Sequence, residues 1–230
     1  MKQDNNDANV LLLIFPSPLA ANRIPTLQAS IEQALEASNS KLREILPDGS
    51  LMVFEVDDPV KAASIVSALF GVERVAVARE SSDKFDRLVD AIVRAGKSMM
   101  NEGDAFAIRV VSNRVEYVGR DVEFAATASL TAELSRLNVR PASEETANKL
   151  IDVYVSPSSA YVCLFIDKGL GGLPAESQGE EMLCSMHNAL SALSCMMAIR
   201  CGFSPRILLL KTDDASFRAR VRDLELVAKR

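Results

Sequence analysis

Apolar residues run unbroken over Val10–Phe15, and the period then changes, with Leu27, Ile31, Ala34 and Leu35 recurring at spacings of three and four. The continuous run predicts a buried strand, and the three-four spacing predicts a helix with one apolar face. Pro16, Pro18 and Pro25 punctuate the stretch between them as a loop, and the helix is expected to end near Ser38-Asn39. Lys41–Leu46 and Leu51–Val56 read as two short strands joined by Pro47-Asp48-Gly49-Ser50, whose residues suit a tight reversal, so a hairpin is expected. Asp58-Pro59 marks a helix start: the carboxylate accepts a free backbone N–H, and proline fits the first helical position, where no donor is needed. Gly71 closes that helix after Phe70, and Val72–Arg79 alternates as a strand does. The order is βαββαβ, the ferredoxin-like arrangement.

A second pattern follows. From Ser82-Asp83, the residues Phe85, Leu88, Val89 and Ile92 share one helix face opposite Lys84, Asp86, Arg87 and Asp90, and the helix is expected to stop around Gly96. Phe106, Ile108 and Val110 alternate with Ala107, Arg109 and Val111, which predicts a strand with Arg109 on the side opposite Phe106. A polar, partly basic loop leads to Asp121, a candidate cap for a helix striped by Leu130, Leu134 and Leu137. Leu150–Val155 and Tyr161–Ile166 are two further strands. Lys168-Gly169-Leu170-Gly171-Gly172-Leu173-Pro174 has the composition of a linker, and beyond it Glu181–Cys184, Leu190–Cys201 and Ile207–Leu210 give strand, helix and strand, the order of a parallel βαβ unit. The fold class is therefore α+β / α/β: a disordered tail over 1–8, a ferredoxin-like domain over 9–80, an α/β domain over 81–168, a Gly-rich linker over 169–179 and a short βαβ fragment over 180–230.

Composition narrows the function classes. The chain has 230 residues, 48% hydrophobic and 25% charged, which describes a globular protein. Its apolar runs fall well short of the ~20 residues that cross a bilayer, and Met1–Asp7 is polar where a secretory leader would be basic and then apolar. No membrane association and a cytoplasmic location are expected. The net charge of −5 argues against clamping nucleic acid by bulk positive charge, so any RNA site must be local. Cys163, Cys184, Cys195 and Cys201 form no CxxC pair, and His187 is the sole histidine, so no metal site is expected and the cysteines read as buried thiols.

Several pieces of the sequence together resemble one family. They are Asn22-Arg23, Phe70-Gly71-Val72, Asp104–Val110, Asp152-Val153-Tyr154-Val155-Ser156-Pro157 and above all Gly169-Leu170-Gly171-Gly172-Leu173-Pro174, followed after Gly179 by Met182-Leu183-Cys184. Their order and spacing resemble tRNA 4-thiouridine synthetase, also called tRNA sulfurtransferase, over about residues 10–210. The resemblance implies that the first domain is the family's N-terminal ferredoxin-like domain and that the second is a THUMP domain. It also implies that the two bind tRNA through its acceptor end, and that a pyrophosphatase-type (PP-loop) domain follows, using ATP to adenylate the uridine.

One departure changes that picture. The family's nucleotide loop reads SGGxDS, whose glycines let backbone N–H groups approach phosphate at a helix N-terminus. The corresponding stretch is Met186-His187-Asn188-Ala189-Leu190-Ser191: side chains stand at both glycine positions, Leu190 at the acidic one, and only Ser191 is kept. The family's catalytic cysteines lie beyond the end of this chain. Residues 175–230 are therefore read as a degenerate, shortened PP-loop remnant, with no catalytic residue and no cofactor expected.

RNA binding would rest on Arg109, Arg114 and Arg120, with Lys168 and Arg140 as rim contacts, since arginine grips phosphate through two N–H groups at once. The competing reading makes them solvated surface charge, with Arg109 paired to Glu116 and Arg120 to Glu123. Val111 and Ser112 stand where the family's strand continues into basic residues, which points to modest affinity. Tyr117 can stack on an exposed base or anchor its loop. Gly169, Gly171 and Gly172 can offer N–H groups to a phosphate or act as a flexible hinge. His187 has no third member for acid–base chemistry, and Arg218, Arg220 and Arg222 line up only if extended.

Three functional readings follow. The first is a tRNA-binding protein that presents tRNA to a separate modifying enzyme without ATP chemistry of its own. The apolar C-terminal segment, with Met196, Met197, Ile199 and Ile207–Leu210, makes it a homodimer in that reading. The second is an active sulfurtransferase component with an altered nucleotide site, and the third is a structural or regulatory protein that has lost RNA binding.

Overall fold

A computed structural model describes residues 10–48, 51–112 and 119–209, together with 218 and 222. The chain begins with strand β1 (Val10–Pro16), a 3-10 turn over Pro18–Arg23 and helix α1 (Ile24–Ala37). Leu27, Ile31 and Leu35 form the buried stripe of α1, as their spacing requires. Strands β2 (Leu42–Asp48) and β3 (Leu51–Val56) precede helix α2 (Pro59–Val66). Asp58 caps α2 by accepting the Lys61 N–H at 3.0 Å, with Pro59 in the first turn. Strand β4 (Val72–Ser81) completes the βαββαβ succession.

Helix α3 (Phe85–Met99), strand β5 (Ala105–Ser112), helix α4 (Gly119–Glu133), the two-residue β6 (Arg140–Pro141), and strands β7 (Lys149–Val155) and β8 (Ala160–Lys168) follow. The remainder forms β9 (Glu181–Met186), α5 (Ala189–Arg200) and β10 (Ser204–Leu209). Strand β10 pairs with β9 in parallel, as the βαβ order demands. The other strands form one sheet in the order β2-β3-β1-β4-β8-β7-β5-β6.

The chain divides into two compact units. The first comprises residues 1–13, 45–55 and 76–166. Its core joins Leu88, Ile92, Phe106, Val122, Ala126, Leu130, Ile151 and Val153 from α3, α4, β5 and β7. Helix α3 runs past Gly96 rather than ending there. The reason is a contact with α4: a Cβ at Gly96 would stand 2.6 Å from Leu130 Cδ2, so glycine is what lets the two helices approach.

The second unit comprises residues 14–44, 56–75 and 167–230. Here Gly71, at φ +92°, ends the α2 region and donates to Gly171 O while accepting from Ser17 N–H. The Gly-rich stretch is docked against the start of β4. Gly169 N–H donates to Glu73 O at 2.9 Å and Gly171 N–H to Val72 O at 2.7 Å.

Candidate nucleic-acid interface

Strand β5 carries Arg109 next to Asp152 of β7, which is its register partner in the parallel ladder. The guanidinium reaches Asp152 Oδ1 through Nε at 2.6 Å and Nη2 at 2.5 Å, and Glu144 Oε2 through Nη1 at 3.0 Å. Asp152's side chain is 7% exposed and that of Arg109 34%. Burial works to lower the Arg109 pKa, but the hydrogen bond and charge of Asp152, then the charge of Glu144, hold it above its ordinary value. Arg109 is thus a cation between two carboxylates, neither of them Glu116, which lies outside the described residues.

Arg120 is exposed on the first turn of α4 and has no carboxylate partner among the described residues. Glu123 does not pair with it; Glu123 Oε1 accepts the Val110 N–H at 2.7 Å and so closes that point on the β5 edge. Arg114 and Tyr117 lie outside the described residues. Arg140 is exposed on β6, with its N–H donated to Asp104 O at 3.0 Å. Lys168 is exposed at the end of β8 and belongs to the second unit.

Two features of the first unit escaped the sequence reading. Phe124 is 79% exposed, on the side of α4 away from Val122, Ala126 and Leu130. The signal was available: an aromatic two residues off the apolar stripe points away from the core. Beside it lies a groove of about 550 Å³ lined by residues of β5, α4 and the segment 141–144.

In the second unit the glycines at 169–172 are packing positions. A Cβ at Gly169 would lie 2.1 Å from Val72 O, and one at Gly172, at φ +79°, 2.5 Å from Arg200 Cγ. With their N–H groups given to Glu73 and Val72, Gly169 and Gly171 have none to offer a phosphate.

The turn between β9 and α5 is closed by its own side chains. Asn188 caps α5 by accepting the Ser191 N–H at 3.0 Å, while Ser191 Oγ accepts the N–H groups of His187 at 2.7 Å and Asn188 at 3.0 Å. Ser191 Oγ also donates to Asn188 O at 2.8 Å, so its capacity is used. The amides of His187, Asn188 and Ser191 thus already have partners inside the turn, a donor set poorly matched to a nucleoside triphosphate. His187 Nε2 lies 2.9 Å from Ser185 Oγ. Below the turn, Cys184 and Cys195 are buried together, and burial, with Cys184 alongside, pushes the Cys195 thiol up to about 12. Cys163 is also buried, whereas Cys201 is exposed. No group of side chains suited to a metal ion occurs among the described residues. No helix there is long and apolar enough to cross a membrane.

No family model matches the chain. A probable tRNA sulfurtransferase from Methanosarcina mazei is 26% identical over 156 residues, covering 67% of this chain and 38% of its own length. The chain is similar to the tRNA sulfurtransferases. It spans 38% of the length of that curated relative. Among solved structures, PH1313 from Pyrococcus horikoshii Ot3 superposes with a TM-score of 0.79 at 17% identity, over 96% of this chain and 75% of that one. A 4-thiouridine synthetase, in a complex with RNA and bound ATP, gives 0.74 at 12% identity, over 96% and 58%. At these identities the two structures speak to the fold, and they agree with the mixed α/β class expected from the sequence.

Proposed function

We propose that this chain is a tRNA-binding protein that presents tRNA to a separate thiolation or modification enzyme and performs no ATP chemistry itself. The observation that carries the reading is the similarity to a sulfurtransferase over 67% of the chain. It is joined by a fold shared with a 4-thiouridine synthetase that was solved with RNA. Residues 9–80 then act as the ferredoxin-like domain, 81–168 as the THUMP-type domain, and 180–230 as the PP-loop remnant after the 169–179 linker.

The absence of ATP chemistry is supported by the turn over 187–191, where the amides of His187, Asn188 and Ser191 are used internally. Because Arg109 is held by Asp152 and Glu144, the proposed phosphate contacts are Arg114, Arg120 and Lys168, and the proposed stacking residue is Tyr117. The third reading, a protein without RNA affinity, draws on that same pairing and on the net charge of −5.

Filter binding of bulk tRNA, at low and at physiological salt, tests the proposal. Retention that weakens as salt rises is the expected result, and no retention at low salt overturns it. Calorimetric titration with ATP and magnesium should give no heat, and saturable binding would instead favour the enzymatic reading.

The protein also acts as a cytoplasmic homodimer in this proposal. Leu190, Leu193 and Met197 of α5 are exposed at spacings of three and four, an apolar helix face suited to a second copy. Light scattering should return twice the protomer mass, and the protomer mass alone would exclude the dimer.

A further inference from the structure

Within the first unit, the ladder between β5 and β6 stops at the pair Phe106 and Pro141, after which Ala142 N–H donates to Phe106 O at 2.8 Å. Farther along β5, Glu123 Oε1 accepts the Val110 N–H at 2.7 Å. Ile108, midway between them, has no strand partner on this edge among the described residues, and the period of two turns its N–H and C=O the same way as those of Phe106 and Val110. The groove beside it has α4 as one wall and residues 141–144 as the other. Its chemistry is that of an aromatic face among carboxylates. Phe124 is 79% exposed. Glu144 is half exposed, and Arg109 divides its charge between Glu144 and Asp152. With Glu123 and Arg120 included, three carboxylates stand against two guanidinium groups.

We propose that this groove docks an extended, lysine- or arginine-bearing segment of a partner protein, which pairs its backbone with Ile108 and sets one cationic side chain between the Phe124 ring and Glu144. The inference goes beyond RNA binding and does not depend on it. A strand added to an open sheet edge gains main-chain hydrogen bonds whatever its sequence, and the pocket beside the edge selects the side chain. Here the pocket selects a cation. The negative face of an aromatic ring attracts positive charge, and a neighbouring carboxylate adds a charge-assisted hydrogen bond. An apolar segment would cover Glu123 and Glu144 without giving them a partner, and an anionic one would meet the excess of carboxylates. Arg120 stands one helical turn before Phe124, so it repels the incoming cation and marks the end of the site.

Fluorescence anisotropy with three labelled decapeptides tests this: one alternating lysine and valine, one with glutamate in place of lysine, and the lysine peptide N-methylated along its backbone. The wild-type chain should bind the first and not the second. Backbone methylation should cost about tenfold, the worth of one or two hydrogen bonds. Phe124→Ala should lose about threefold on the lysine peptide, Glu144→Gln a similar factor, and Phe124→Tyr should bind as wild type does. Arg120→Ala should bind more tightly, the opposite of its effect at a phosphate site. Asp90→Asn, an exposed position on α3 with the same change in net charge, should leave binding unaltered. Because Phe124 is exposed, its removal spares the core, and an unchanged urea midpoint verifies that. Equal affinity of wild type, Phe124→Ala and Glu144→Gln overturns the proposal, as does an equal loss with Asp90→Asn, which would mean bulk attraction. A single-stranded RNA that loses affinity on Phe124→Ala while the lysine peptide does not overturns it in favour of nucleic acid.

Discussion

Replacing Arg109 by alanine separates its two roles, because the structural role has a cost that can be worked out. The substitution leaves Asp152, at 7% exposure, without the two charge-assisted bonds of 2.6 and 2.5 Å that now converge on Oδ1. Bonds of this kind contribute about 1.5–3 kcal/mol, and stranding one carboxylate of a buried pair can cost more. The guanidinium is a third exposed, so water enters the gap and moderates the loss. The bridge to Glu144, whose side chain is half exposed, contributes at most about 0.5 kcal/mol. The expected destabilisation is about 2 kcal/mol. Urea unfolding followed by circular dichroism should show a lower midpoint with an unchanged slope. Combining Arg109→Ala with Asp152→Ala should recover part of the loss, since no lone carboxylate is then left inside. Below the transition, Arg109→Ala should retain nearly full affinity for tRNA. A variant as stable as wild type but deficient in RNA binding would refute the reasoning and return Arg109 to the phosphate contacts.

Gly169→Ala offers a test whose sign is informative. The Cβ would meet Val72 O at 2.1 Å, so a loss of about 2–3 kcal/mol is expected from overpacking against backbone. A flexible hinge would instead gain about 0.5 kcal/mol from the restricted unfolded chain. Gly103→Ala, at φ +79° in open space, should cost about 1 kcal/mol, and equal midpoints for the two variants would contradict the docked segment. Asp104 supplies a pH prediction. The Asn101 N–H holds its carboxyl below the ordinary value against the opposing effect of burial, with Asn148 and Lys149 adding to the lowering. Its contribution to stability is present above the ordinary aspartate range and is lost as pH falls through the lowered value. Thermal midpoints recorded from neutral to acid pH should therefore fall more steeply for wild type than for Asp104→Asn, and parallel curves would exclude the assignment.

The elements that announce themselves in the sequence are those whose signal is local. Asp58-Pro59 carries its cap and its first turn side by side, and α2 begins there. Leu27, Ile31 and Leu35 repeat at helical spacing and form the buried stripe. What was not legible depends on residues far away in the chain. Gly96 reads as a helix end until Leu130 of α4 is found against it. Strand β10 begins at Ser204, ahead of its apolar run, because its pairing with β9 starts at Glu181. Arg109 takes its charge partner from another strand, through a register that no local spacing encodes. The Gly-rich stretch has the composition of a hinge, yet its glycines are demanded by the approach of Val72 and Arg200. Phe124 alone was readable and passed over.

If Arg109 is satisfied by Asp152 and Glu144, the number of phosphates this face can neutralise is small, and the salt dependence of RNA binding should be shallow in proportion. A weak electrostatic grip shifts the work of recognition to contacts that salt does not screen. It also gives a physical purpose to the apolar residues Leu190, Leu193 and Met197. Two modest sites joined through that surface would engage a second RNA contact at high effective concentration, without any new basic residue. On this reasoning a substitution that splits the proposed dimer, such as Leu193→Asp, should weaken tRNA retention more than it weakens binding of a short RNA duplex, which a single protomer can hold. Equal losses on both RNAs would show that the two surfaces work independently.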